Sequence, residues 1–524
     1  MSNLDIARLV SQRSRYAWAR LQQGRPILDA DFNASAIGPS QAVREALLAI
    51  IGSAAAPADG FLPDLRVGDV LPAKLVRFGS LVEAYVLDFA LKAGTLYVGG
   101  MRFDLDTPQP AVFQRGFLQM GPGTAPLAAL GLSRQLLVLR GFEQAVTAVE
   151  DRELMEAALG GADTTGRVIR RARVETYAVD GESCAEAFEE VVERLTAGGV
   201  ATYDPATAAL ASEARLGIGF LGADEDDCAA CRPSLAGRYL GAEAHNLKIM
   251  LATPSRFVWA LDTPPLYRAR LVMEGNGVAR IEMLTPPKDE TLAPRHGQVV
   301  ELVPFAALLR NGTPGPGKVV GQKVRNETIA SPVGFFAEAI APYDPASRSV
   351  RVRLSTETLA RIGLDDPKGK TDPEAAAQAA VMAGEAPAED VIALEWDPAH
   401  PDAAALNPSA DTDAFTATLF MRLWHQASGG QTSIPITSTA PLGRTGIVPA
   451  FSGPGIAGDH WSVAVSPLAN DRVAPSSLMD EGGAPPDGPN RVITPIAMLT
   501  WHSKAGFNHT LEAFDDCRPA LPTI

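Results

Sequence analysis

Cysteine is scarce in this sequence, positive charge is outnumbered and long apolar runs are missing, and each shortage removes a class of protein. Four cysteines in 524 residues cannot make the disulfide framework of a small secreted domain, and a chain this long can bury apolar cores instead. Reduced thiols are therefore expected. A formal charge of −15 and no Lys/Arg cluster argue against a nucleic-acid partner, because neutralising phosphates needs a basic face. No apolar stretch of about 18 residues occurs, so no membrane insertion is expected. Residues 1–13 are polar and lack the apolar core of a signal peptide, which points to synthesis in the cytoplasm.

Catalytic signatures are missing too. There is no H-E-x-x-H and no G-x-S-x-G. Gly453-Pro454-Gly455-Ile456-Ala457-Gly458 has dinucleotide spacing, but Pro454 interrupts it and Asp459–Val463 reads as a strand where a helix is required. Gly312–Lys318 imitates a phosphate loop, yet Val319 replaces the magnesium-binding hydroxyl and two prolines remove amide donors. Cys228 and Cys231 have the spacing of half a zinc site, without two further ligands. Asp29, Asp31 and Asn33 occupy alternate positions of a calcium loop, but Ala34 and Ser40 stand where glycine and a bidentate glutamate are needed. No catalytic residue, cofactor or metal is expected.

What is abundant is turn chemistry. With 47 Gly, 41 Pro and 46% hydrophobic residues, the chain reads as short strands joined by turns. The expected fold is mainly β with a few helices (α+β), in several units of short antiparallel sheets and sandwiches. The expected division is an attachment segment at 1–60, a β-rich unit with a closing helix at 61–200, a second β-rich unit at 201–365, a linker at 366–390 and a C-terminal β unit at 391–524.

Several local elements can be read. Gln22 to Asn33 is organised by Gly24, which turns the chain, and Pro26, which forces an extended run; a helix then opens at Asn33 or at Gly38-Pro39, with Ser40–Ile51 as its body and Gly52 as its stop. On the extended run Asp29, Asp31 and Asn33 share a face. Ala54 to Gly60 reads as a linker, and Phe89 to Phe103 as a hairpin turning at Lys92-Ala93-Gly94, with Gly99-Gly100 as a bulge or second turn. Asp151–Leu159 reads as a short helix. Val168–Val179 alternates, with Ala172, Val174 and Ala178 opposite Arg171, Arg173 and Glu175. Ser183 and Glu186 make a capping box for a helix whose apolar face carries Cys184, Ala187, Phe188, Val191, Val192 and Leu195. Leu247–Leu251, Phe257–Trp259, Ala414–Trp424 and Asn490–Trp501 read as strands.

Tyr16, Leu21-Gln22-Gln23-Gly24-Arg25 and Leu28-Asp29-Ala30-Asp31-Phe32-Asn33 resemble the opening of an uncharacterised family encoded among phage-tail and contractile-injection-system genes. Four later stretches look like that family's signatures, in order: Glu150-Asp151 with Ala158–Thr164 and Arg167; Gly237-Arg238-Tyr239-Leu240-Gly241-Ala242-Glu243; Gly458-Asp459-His460-Trp461; and Asp516-Cys517-Arg518 with Pro522. Phe32, Ala162 and Ala244 depart from residues usual in the family. The resemblance implies a non-enzymatic structural part of a phage tail or phage-tail-like particle, at a baseplate or fibre attachment. Its expected partners are other tail or baseplate proteins and further copies of itself in a symmetric assembly. Tyr16, Gln22, Gln23, Gly24, Arg25, Asp29, Asp31 and Asn33 are the expected protein interface. The alternative is a tail-associated carbohydrate binder or depolymerase that stacks a surface glycan on exposed tryptophans.

Overall fold

A computed structural model describes residues 20–521 except 25, 28, 70–72, 78–79, 87–89, 106–107, 111–130, 152–153, 223–236, 276, 304, 309–327, 331–332, 355–393, 397–418, 426–430 and 505–507. Tyr16, Arg25, the Cys228/Cys231 pair, Gly312–Lys318 and the 366–390 linker lie outside these residues. The expected mainly β, α+β architecture holds: among the described residues there are two α-helices, α1 (Asp29–Ile51) and α2 (Cys184–Thr196), against many short antiparallel strands.

A six-stranded antiparallel sheet is the frame. The strand Gly131–Val146 pairs on one side with Arg167–Val179 and on the other with Arg491–Lys504. Ala209–Ser212 and Ala201–Asp204 extend the sheet beyond the 491–504 strand, which also pairs with Asn508–Asp516. The middle of the chain and its last residues thus share one sheet, crossing the segment boundaries drawn from sequence. On one face Leu137, Leu139, Val174, Leu499 and Trp501 pack with Phe61, Leu96 and Phe103 from the small sheet beneath. Gly141 is where Phe103 lies against the strand, since a Cβ there would meet the ring at 2.3 Å.

The opposite face is covered by α2. Ser183 accepts from the Glu186 amide while Glu186 accepts from the Ser183 amide, so both halves of the expected capping box are present. Ala187 and Val191 are buried against Leu136, Val138, Tyr177 and Ile493, with Phe188, Val192 and Leu195 at the margin. The thiol expectation is corrected here: Cys184 and Cys517 form a disulfide. Helix packing and the hairpin of residues 491–516 bring together two residues 333 apart in sequence, which spacing could not reveal.

A second unit is a closed six-stranded barrel built from Leu266–Gly275, Val278–Met283, Ser349–Leu354, Phe335–Ala339, Val299–Val303 and Leu419–Trp424. Tyr267, Ile281, Leu302, Phe335, Val352 and Met421 belong to its buried core. Its outer wall carries Val299, Phe336 and Trp424, which pack on Met250, Ala252, Val258 and Ala260 of the hairpin His245–Thr253/Arg256–Ala260. That hairpin joins His460–Val465 in a four-stranded sheet.

Several local expectations are revised. Helix α1 begins at Asp29 and runs through Pro39; acids at its positive end and the alanines at 30, 34 and 36 favour helix over the Gly38-Pro39 signal. Asp29, Asp31 and Asn33 therefore lie in helical turns and not along one face of an extended run. Residues Ala54–Ala55 pair with Tyr97–Val98 where a linker was expected. The hairpin turn sits at Gly99-Gly100, both at positive φ, between Gly94–Val98 and Met101–Leu105, and not at Lys92–Gly94. In place of the Asp151–Leu159 helix, Met155–Glu156 pairs with Ala162–Asp163 around one 3-10 turn. The alternation of residues 167–179 holds, but its polar side is not wet: Arg171 and Glu175 are buried.

Candidate functional site: a cleft beneath the N-terminal helix

Helix α1 lies over the edge of the six-stranded sheet and leaves a cleft of about 180 Å³. Its roof is Ile37, Ser40, Gln41 and Arg44, spaced i, i+3, i+4, i+7 and so on one helical face. The floor is Glu143, Ala145, Val168 and Arg170, two cross-strand pairs in register, Arg170 with Glu143 and Val168 with Ala145. His460 and the turn Asp487-Gly488-Pro489-Asn490 close one end. Two contacts fix the roof: Arg44 Nε donates to the Gly99 carbonyl at 2.6 Å, and Gly100 lies so close to the Arg44 carbonyl that a Cβ would approach it to 2.4 Å.

Charge in the cleft is distributed unevenly. Arg170 Nε donates to Glu143 Oε1 at 3.2 Å. Burial lowers the Arg44 pKa, Glu143 opposes that shift and Arg170 adds to it, so Arg44 feels both groups. Burial pushes Asp487 up to about 6, against the Ser462 amide that donates to its Oδ2 at 2.7 Å and against Lys248. Lys248 is itself buried and donates to Ser462 Oγ at 2.7 Å. Burial also brings His460 down to about 3, with Lys248, Arg491 and Arg422 acting in the same sense. The imidazole is therefore neutral at physiological pH, with Nδ1 3.3 Å from the Gly458 carbonyl oxygen.

Several residues in the stretches that carry the resemblance make buried or long-range contacts. In Gly458–Trp461, buried Asp459 takes the Ile456 amide at 2.8 Å and pairs with Arg491, and Trp461 Nε1 donates to the Ala484 carbonyl at 3.0 Å. Strand His460–Val465 follows the glycine run, in keeping with the rejection of a dinucleotide fingerprint. Glu150 is fully buried and accepts from the Thr147 and Ala330 amides, while Arg268 on the barrel donates to the Val149 and Glu150 carbonyls, tying barrel to sheet. Tyr239 donates to the Glu243 carbonyl at 3.0 Å. Arg518 reaches back to the Ala58 and Gly60 carbonyls.

Among the described residues, the expected interface positions Gln22, Gln23, Gly24, Asp31 and Asn33 do not line the cleft. Gln22, Gln23 and Gly24 are exposed on the segment before α1, while Asp31 and Asn33 are half-buried on it; Asp29 begins the helix. Sequence reading missed a more distinctive feature. Phe32 (65% exposed), Val43 (60%) and Ile50 (65%) are 11 and 18 residues from the first, so at 3.6 residues per turn they fall on one side of α1, away from the cleft. Leu21 and Ile27 are exposed as well. By contrast Trp259, Trp424, Trp461 and Trp501 are all buried, so these four offer no stacking platform. No group of three His, Cys, Asp or Glu positioned for a metal occurs among the described residues. No family model, no curated protein and no solved structure matches the chain.

Proposed function

We propose that this protein is a non-enzymatic structural component of a phage tail or phage-tail-like contractile particle, a baseplate or fibre-attachment part that docks through its N-terminal helix. The observation that carries the reading is the set of exposed apolar side chains Phe32, Val43 and Ile50 on one side of α1, with Leu21 and Ile27 also exposed on the segment before it. A long helix on which Ala30 is the only buried side chain among the described residues gains little from its own fold, and large apolar side chains left exposed along one helix side suit a partner site. Burying each of these large side chains on docking is worth about 1.5–3 kcal/mol. The ordered resemblance of the opening and signature stretches supplies the particle context. The buried junction roles of Glu150, Asp459 and Arg518 suit a rigid part that transmits load.

The test is incorporation. Val43→Glu and Ile50→Glu together, or Arg25→Ala with Asp29→Ala, leave the isolated protein folded by circular dichroism and remove it from purified sheath-and-tube particles. Incorporation at the wild-type level by both variants overturns the docking role of this helix. Particles that assemble and act normally without the gene product overturn the structural reading altogether.

A further inference from the structure

The cleft behind α1 faces away from the apolar stripe and has its own chemistry: two guanidinium groups, Arg44 and Arg170, enter one small space, with the Glu143 carboxylate beside Arg170 and Asp487 on another wall. Arg170 is paired with Glu143 across adjacent strands, and Arg44 comes down from the helix with its Nε committed to Gly99. Like charges held together in a half-buried slot repel, and an anion between them turns that repulsion into two charge-assisted contacts. Neutral hydrogen-bonding groups ring the same space, namely the Ser40 hydroxyl and the Gln41 and Asn490 amides.

We propose that the cleft roofed by Ile37–Arg44 and floored by Glu143 and Arg170 is a binding site for a small oxyanion, a phosphate-like or carboxylate group held between Arg44 and Arg170. A volume of about 180 Å³ admits a group of the size of a small oxyanion. Planar guanidinium forks suit both tetrahedral and planar oxyanions.

One wall opposes the anion. Asp487 lines the cleft, and its surroundings are the Ser462 amide and Lys248 from below, neutral His460 beside it, the Asp459–Arg491 pair behind, and Arg44, Glu143 and Arg170 across the gap. Burial places the charge change of Asp487 at about 6 and leaves His460 neutral there. Protonating Asp487 removes a negative charge from the wall, so anion affinity rises as pH falls through that value.

Titration calorimetry on the full chain tests this with sulfate as the tetrahedral probe and formate as the planar one, both ionised from about pH 5 to about pH 7.5. The expected result is saturable binding of at least one probe, about tenfold tighter at the lower pH. The preferred probe identifies the source chemistry. Arg170→Ala, at a side chain 36% exposed and so tolerant of replacement, weakens binding about tenfold or more. Asp487→Asn brings the affinity at the higher pH to the value at the lower one. Absence of saturable heat from both probes at both pH values overturns the proposal, as does binding that Arg170→Ala leaves unchanged. The stripe variants of α1 leave binding intact, so failure here and failure of the docking reading are separable.

Discussion

The two helices lie on the same sheet and are held in opposite ways. Helix α2 is capped at its start, buries Ala187 and Val191, and is bonded by Cys184 to the end of the 508–516 strand. Helix α1 is longer, carries a proline inside, touches the body through Arg44 and Gly100, and turns Phe32, Val43 and Ile50 to solvent. The first spends its apolar side chains on the fold. The second leaves Phe32, Val43 and Ile50 exposed, and that exposure, not its length, is the ground for the docking role proposed for it.

The largest effect expected on the α2 side is at Glu175. Its carboxylate takes Arg140 and Arg173, each at 3.2 Å, together with the Tyr177 hydroxyl. Burial alone would raise its pKa, but the two guanidinium groups hold it below the usual range. Glu175→Ala removes a buried carboxylate from two half-buried arginines, and a loss of about 3 kcal/mol is expected from urea unfolding. A loss under about 1 kcal/mol would mean that water already serves these groups. Reducing the disulfide comes next, at about 2–4 kcal/mol. It is read by comparing melts with and without reductant, with Cys184→Ser/Cys517→Ser insensitive to reductant.

A matched pair of truncations sharpens the contrast between the helices. Val191→Ala, in the core beneath α2, costs about 2 kcal/mol, while Val43→Ala on α1 stays within about 0.5 kcal/mol. Particle incorporation reverses the order, with Val43→Ala reducing it and Val191→Ala sparing it wherever the protein is folded. Equal stability losses at both positions would show that α1 is packed like α2 and would remove the basis for docking.

What could be read from sequence follows the same divide. The α2 cap and stripe are local, so Ser183, Glu186, Ala187 and Val191 are legible as they stand. The start of α1 was misplaced because Gly38-Pro39 is a strong local breaker that the longer helix overrides. The mainly β class followed from turn chemistry, and the alternation at residues 167–179 gave the correct faces, but burial of its polar side depends on α2 and the barrel. The disulfide and the cleft join positions hundreds of residues apart. Of the cleft's ionisable residues only His460 falls within a sequence signature, Gly458–Trp461, and nothing local connects it with Arg44, Arg170 or Asp487.

The smallest effect is also the least symmetrical, and it sits at the closed end of the α1 cleft. His460 drops from 6.5 to about 3 on folding, so the unfolded chain binds a proton between those values that the native state refuses, and stability falls as pH falls through this window. Asp487 rises from 3.8 to about 6, so the native state binds a proton that the unfolded chain has lost, and stability falls as pH rises through that window. Between about pH 4 and pH 6 the two slopes oppose each other and the cleft end is nearly indifferent to pH. Asp487→Asn removes one slope and leaves the other. Stability of this variant measured by urea unfolding should then decline steadily from about pH 6 to about pH 4 by more than the wild type's over the same interval. On the α2 side, Glu175 supplies an acid-labile contribution common to both proteins, so it cancels from the comparison. Parallel curves for variant and wild type would mean that Asp487 gains no proton on folding, and the pH dependence expected for anion binding would lose its cause.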